Sequence, residues 1–151
     1  MRIWDRVAAD RVDHFLANSY YVRDRIKKYY KREADVSYPP VEVDDYYISE
    51  KNKIGDYFLF VSRLVDYKRC DIVASAFNKL GLPLLVVGGG PEENKLRKMA
   101  KNNIKFLGKV SNSALKKYYS EAKAFVFAAE EDFGMVMVEA MASGRPVIAY
   151  N

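Results

Sequence analysis

From residue 57 onward the apolar positions fall into short unbroken runs, separated by polar stretches with helical spacing. The runs are "YFLFV" (Tyr57 to Val61), "PLLVV", "IKFL", "AFVFAA" and "PVIAY". Each is rich in β-branched or aromatic residues and bounded by turn signals, the pattern of a buried strand. Between them, "KRCDIVASAFNKL" (Lys68 to Leu80) puts Ile72, Ala76 and Phe77 on one stripe, continued by Leu80, and ends at Gly81 and Pro83 as a helix should. "PEENKLRKMAKN" reads as a helix with Pro91 at its start, and "SNSALKKYYSEA" as one opened by cap-type serines. "EEDFGMVMVEAMASGRPVIAY" supplies a further helix between Gly134 and Ser143-Gly144. Strands alternating with helices predict parallel β-α-β units, and strands buried on both faces read as uniformly apolar. The predicted fold is α/β, a doubly wound parallel sheet whose ligands lie at the carboxyl ends of the strands.

Residues 1–50 follow another pattern. "FLANS" predicts a strand running into the helix "YYVRDRIKKYYKRE"; the two prolines of "VSYPPVEVDDYY" then break regular structure, and "ISEKNKIGD" reads as a linker. The expected boundary falls near residue 50. The early segment is too small for a core of its own and reads as the tail of a larger domain.

Composition narrows the function classes. The chain has 151 residues, half of them apolar, which suits one domain-sized core. No apolar run approaches the ~18 residues of a membrane span, and "MRIWDRVAAD" lacks the apolar region of a signal peptide. Cys70 is the only cysteine, which excludes an intrachain disulfide and fits a reducing cytoplasm. His14, the one histidine, reads as a packed or surface residue. A net charge of +5 favours anionic partners.

The candidate chemistry begins with Glu139, the single polar residue between Met135 and Ala142. An ionised carboxylate in such surroundings is costly unless it has a partner. Its helix starts just after Gly134, at a strand's carboxyl end, so the free N–H groups and positive dipole end form an anion site. Glu131 precedes the helix and Glu139 lies roughly 7 Å along its axis, so the two acids can flank a bound phosphate and accept from hydroxyls on either side. A nucleotide sugar has that shape. In the competing reading, Glu130, Glu131 and Asp132 complement the dipole while Glu139 pairs with a nearby Lys or Arg. Cations for phosphate stand on "FVSRLVDYKRCD": Arg63 directly after a strand and Lys68 where a helix begins. "VVGGGPEE" places Gly88 and Gly90 in G-x-G spacing but lacks the rest of a dinucleotide fingerprint, and reads as a turn where backbone meets a ligand or a facing domain. "RDRIKKYYKR" mixes basic and aromatic residues; a solvated face is the favoured reading, with an anionic membrane surface or single-stranded nucleic acid behind it.

Together these stretches resemble the retaining glycosyltransferases of family 4, whose GT-B fold has two facing Rossmann-like domains. Glu131 and Glu139, with seven residues between them, match that family's glutamate pair, and "EEDFGMVMVEAMASGRPVIAYN" resembles its surrounding signature. "SRLVDYKR" is similar to its G-R-L-x-x-x-K-G phosphate motif, and "VVGGGPEENKLRKMA" to its glycine-proline segment. Ser62 and Arg69 replace the two glycines of the phosphate motif, and Ala128 stands where serine is frequent. The match is strong over 57–151, and 11–43 resembles the family's interdomain crossover. The overall likeness is greatest to a mannosyltransferase branch acting in surface polysaccharide or glycolipid assembly.

The resemblance implies that residues 1–50 are the tail of the N-terminal acceptor domain plus linker, and that 51–151 is the nucleotide-sugar-binding domain, truncated at its C-terminus and inactive alone. It implies catalytic roles for Arg63 and Lys68 on the donor diphosphate and for Glu131 on the transferred sugar. Backbone at Gly134, Met135 and Val136 would assist, Glu139 would hold the ribose, Lys109 and Val110 would border the base, and Gly88 and Gly90 would approach the donor. No metal is expected. The expected donor is GDP-mannose, the partner a glycan or glycolipid acceptor, and the location cytoplasmic or peripheral at the inner membrane face. Glycoside hydrolase, nucleotide-sugar epimerase and non-catalytic nucleotide- or RNA-binding module are the rival readings.

Overall fold

The computed structural model describes residues 3 to 150; Met1, Arg2 and Asn151, the last residue of the glutamate signature, lie outside the described residues. The chain divides into two compact units, one of residues 1–40 with 131–134 and one of 41–130 with 135–151.

The larger unit is the doubly wound sheet. Its strands are β3 (Phe58–Val61), β4 (Leu84–Val87), β5 (Ile104–Gly108), β6 (Ala124–Phe127) and β7 (Val147–Ala149), in the order β5-β4-β3-β6-β7. Every pairing is parallel. The connecting helices are α3 (Cys70–Leu80), α4 (Glu93–Met99), α5 (Asn112–Glu121) and α6 (Met135–Ala142). From β3 the chain steps outward through β4 to β5, then returns to β6 on the other side of β3. Right-handed crossovers in opposite directions put their helices on opposite faces, and α3 packs with α4 while α5 packs with α6.

The central strands are buried on both faces, as uniform apolarity predicts: Leu59, Phe60, Leu84, Val86 and Phe125 are fully inaccessible. The outer strands are not, since β5 and β7 each have one free edge, and Ile148 is 55% exposed. In α3 the buried face is Cys70, Val73, Ala74 and Phe77, and Ile72 points outward. The predicted stripe through Ile72 and Ala76 is therefore rotated: the buried set runs i, i+3, i+4, i+7 from Cys70 and shares only Phe77 with it. Its other end behaves as expected: Gly81 takes φ +71° and donates to the Phe77 carbonyl. Ser111 caps α5, its hydroxyl accepting from the Ala114 N–H at 3.3 Å.

The smaller unit contains α1 (Ile3–Ala9), β1 (Leu16–Ala17), α2 (Tyr20–Tyr30) and β2 (Asp35–Val36). The predicted strand shrinks to two residues, paired in parallel with β2, and Ser19 caps α2. Among its described residues only Ala9, Ala17, Ser19, Ile26 and Gly134 are buried. Few buried groups leave little area to stabilise it. Segment 131–134 is tied to this unit by the Arg25–Asp132 ion pair at 3.1 Å and by Phe133 against Tyr38, ring centres 5.7 Å apart.

Candidate functional site

In a parallel sheet all carboxyl ends lie along one edge, and an open α/β sheet binds ligands where the strand order reverses. Here that point lies between β3 and β6. The sequence candidates of the larger unit follow the strand ends along this edge: Arg63 after β3, Gly88 and Gly90 after β4, Lys109 and Val110 after β5, and Met135 and Val136 at the start of α6 after β6. Glu139 sits one turn into α6. Glu131 and Gly134 lie in the four-residue segment that groups with the smaller unit, immediately before α6 in the chain. Gly134 has φ +86°, a conformation that suits glycine far better than any residue with a Cβ.

The 62–69 loop has a pinned backbone. The Ser62 N–H donates to the Val87 carbonyl at 3.1 Å and the Leu64 N–H to Gly89 at 3.0 Å, extending the β3–β4 ladder past the strand ends. Leu64 is fully buried, whereas Arg63 is exposed and, among the described residues, its guanidinium has no ion-pair partner. Lys68 ends a 3₁₀ turn, Asp66–Lys68, rather than opening the helix. Its Nζ lies 5.6 Å from the ring centre of Phe127, the last residue of β6. The cation on the β3 loop thus reaches the end of β6, at the reversal point.

Gly88 and Gly90 meet a requirement of the backbone. A Cβ on Gly88 would stand 1.9 Å from the Ser62 carbonyl oxygen, and one on Gly90 2.3 Å from that of Leu64. Neither position admits a side chain, so the G-x-G spacing reflects close contact between two loops. Arg69 holds φ +52°, the left-handed conformation for which glycine is the usual choice, and its guanidinium bonds Asp71 at 3.2 Å.

Glu139 has partners, and they are not cations. Its Oε2 accepts from the Tyr119 hydroxyl at 2.9 Å, and the Tyr46 phenol lies near enough for the carboxylate's charge to act on it. Among the described residues no Lys or Arg forms an ion pair with it. Tyr119 is fully buried on α5 and Tyr46 is half-buried, their rings meeting edge to face at 6.0 Å. Burial, reinforced by the Glu139 charge, pushes both phenols well above the ordinary tyrosine range. Tyr46 is delivered by a segment fastened at several points: Asp45 pairs with Lys116 at 2.7 Å, the Ser49 hydroxyl donates to that of Ser120 at 3.0 Å, and Ile48 packs against Gly144. Gly144 in turn ends α6 in a Schellman motif, with its N–H on the Met141 carbonyl and the Arg145 N–H on that of Ala140. An aromatic row continues from the tyrosines toward Lys68: Tyr119 to Phe125 at 5.8 Å, then Phe125 to Phe127 at 6.2 Å.

The two tyrosines escaped the sequence reading because they come from segments distant from α6. The available signal was indirect: an acid in an apolar helix needs a donor, and "KKYYSEA" turns one tyrosine inward at helical spacing from Leu115.

A family model described as "Glycosyl transferases group 1" matches residues 47–151. The chain is 31% identical over 159 residues to the O-antigen chain mannosyltransferase RfbU of Salmonella typhimurium, covering 95% of this chain and 43% of that protein. It is 28% identical over 176 residues to a GDP-mannose-dependent alpha-(1-6)-phosphatidylinositol monomannoside mannosyltransferase of Mycobacterium tuberculosis, covering 97% and 46%. Sucrose-phosphate synthase from Thermosynechococcus elongatus shares the fold, with a TM-score of 0.79 at 21% identity over 96% of this chain and 42% of that one. The chain therefore spans less than half the length of the curated relatives it matches.

Proposed function

The chain belongs to the group 1 glycosyltransferases, and on that premise we propose that its carboxyl edge binds a nucleotide-diphosphate sugar whose hexose the intact enzyme transfers with retention of configuration. One observation carries the reading: Lys68, on the loop after β3, reaches Phe127 at the end of β6, where the strand order reverses.

The chemistry follows from charge. Breaking the sugar–phosphate bond leaves negative charge on a diphosphate. Arg63 offers a planar fork for its oxygens, Lys68 a point charge, and the N–H groups of the first turn of α6, at Met135 and Val136, further donors. These groups do the work that a metal ion does in other phosphate sites, and the reaction proposed here needs none. Glu131 accepts from hydroxyls of the transferred sugar, assisted by backbone at Gly134. Glu139 accepts from the ribose, and Lys109, Val110, Gly88 and Gly90 border the rest of the donor. The names of the relatives support mannose, carried by GDP, as the sugar and a glycan or glycolipid as the acceptor. The basic and aromatic face of α2 is then available for contact with an anionic membrane surface; among the described residues no helix is long and apolar enough to cross a membrane.

The test is a thermal-shift and calorimetric panel of GDP, UDP, GDP-mannose, UDP-glucose and a short RNA, at two salt concentrations. A nucleotide diphosphate at ~100 times its dissociation constant should stabilise the fold by about 2.7 kcal/mol. No response to any nucleotide, with steeply salt-dependent RNA binding, overturns the reading.

A further inference from the structure

The partners of Glu139 have a property that an ion pair would lack. A Lys or Arg beside the carboxylate would neutralise it and compete for its lone pairs. A tyrosine hydroxyl gives one hydrogen and no charge. Tyr119 therefore fixes the orientation of Glu139 while leaving its charge intact, and Tyr46 packs edge to face on the Tyr119 ring beside it. An ionised carboxylate has about four acceptor positions, of which the Tyr119 hydroxyl occupies one, and even a second phenol donor leaves about two for a ligand. A ribose presents two vicinal hydroxyls.

Both tyrosines are themselves rigidly held. The Tyr119 ring is inaccessible and packs on Phe125. The segment carrying Tyr46 is fastened to α5 by the Asp45–Lys116 and Ser49–Ser120 contacts. A hydrogen-bonded carboxylate on such supports loses little freedom when a ligand arrives, and pre-organisation of this kind raises affinity by lowering the cost of ordering. Their raised ionisation, caused by burial and the neighbouring carboxylate, keeps both phenols protonated as donors.

We propose that Tyr119 and Tyr46 are positioning residues that hold the Glu139 carboxylate in place to accept from the two ribose hydroxyls of a bound nucleotide. The inference rests on the donor-binding reading above. It assigns the preference for ribose over deoxyribose to a pair of phenols that do not themselves touch the ligand.

The experiment crosses deletions on both sides. GDP and 2′,3′-dideoxy-GDP, with the corresponding UDP pair in parallel, are titrated calorimetrically into the wild type, Tyr119→Phe, Tyr46→Phe and the double variant. Phenylalanine keeps each ring and removes only the hydroxyl. The wild type should prefer the ribose form by ~10-fold or more, the scale of hydrogen bonds to a charged group. Each variant should reduce that preference severalfold, the double variant most, with affinity for the dideoxy form unchanged. Should Tyr119→Phe fail to fold, the half-buried Tyr46→Phe carries the comparison. Equal weakening of both ligands, or an undiminished ribose preference, overturns the assignment. A wild type that binds neither GDP nor UDP overturns the donor-binding reading instead, and this inference falls with it.

Discussion

The 62–69 loop and the Glu139 node lie on the same sheet and are built on opposite plans. In the loop the backbone is fixed, by ladder hydrogen bonds from Ser62 and Leu64, while the Arg63 side chain extends into solvent. At Glu139 it is the side chain that is fixed, by the Tyr119 hydroxyl with Tyr46 packed beside it. The difference fits the partners proposed for each. A diphosphate is a diffuse anion with many oxygens, and a mobile guanidinium finds them at small entropic cost. Ribose hydroxyls are neutral, weakly attracting groups, and their recognition depends on an acceptor already in place.

The largest expected effect comes from attacking the loop's backbone support. Gly88→Ala adds a methyl group against the Ser62 carbonyl oxygen at a position with φ +120°. Something must shift, and a loss of ~3–5 kcal/mol or failure to fold is expected from overpacking plus strain. Chemical denaturation measures it, and a stability within 1 kcal/mol of wild type would show that the loop does not need its close support. Next comes the loop's charge. Arg63→Ala in the full-length enzyme should lower turnover by ~10²–10³ with the melting temperature unmoved, as for other lost charge-stabilising donors. An unchanged rate would break the contrast at its first member.

The smallest effect concerns pH and separates the node from the loop. Tyr119, Tyr46 and Tyr57 all have raised phenol ionisation, chiefly from burial, and burial likewise pushes the Cys70 thiol up to about 12. The folded protein thus retains protons that the unfolded chain releases from about pH 9 upward, so stability declines with rising pH through that window. Absorbance of tyrosinate followed against unfolding should show these phenols titrating only as the fold is lost. Free titration of all tyrosines near pH 10 in the folded state would contradict the buried node.

The central strands were legible because burial on both faces leaves runs such as "FLFV" with no polar residue to confuse the period. The α3 stripe was misread by a rotation, since Ile72, Ala76, Phe77 and Leu80 form one apolar stripe and Cys70, Val73, Ala74 and Phe77 another, and packing buries the second. α1 escaped notice because Ile3, Trp4 and Val7 are exposed and leave no core-facing stripe. At the site, Arg63 and Lys68 could be placed from their distance to a strand end. The triple glycine was legible as a turn where backbone comes close to a neighbour, but not that a Cβ at Gly88 or Gly90 would strike carbonyls of the 62–69 loop. Tyr119 and Tyr46 depend on contacts across 20 and more residues, which periodicity does not encode.

The register of β3 has a consequence for the order of assembly. Phe58 faces Leu84 on one side and Ala124 on the other. The first pairing closes a short stretch of chain, the second one much longer, and closure entropy together with non-local topology delays the second. Three strands, β3 to β5, are therefore expected to associate before β6 docks, and until then β3 presents an unsatisfied edge to any other extended chain. The seam between β3 and β6 is at once the last to close during folding and the most exposed to intermolecular pairing on the way.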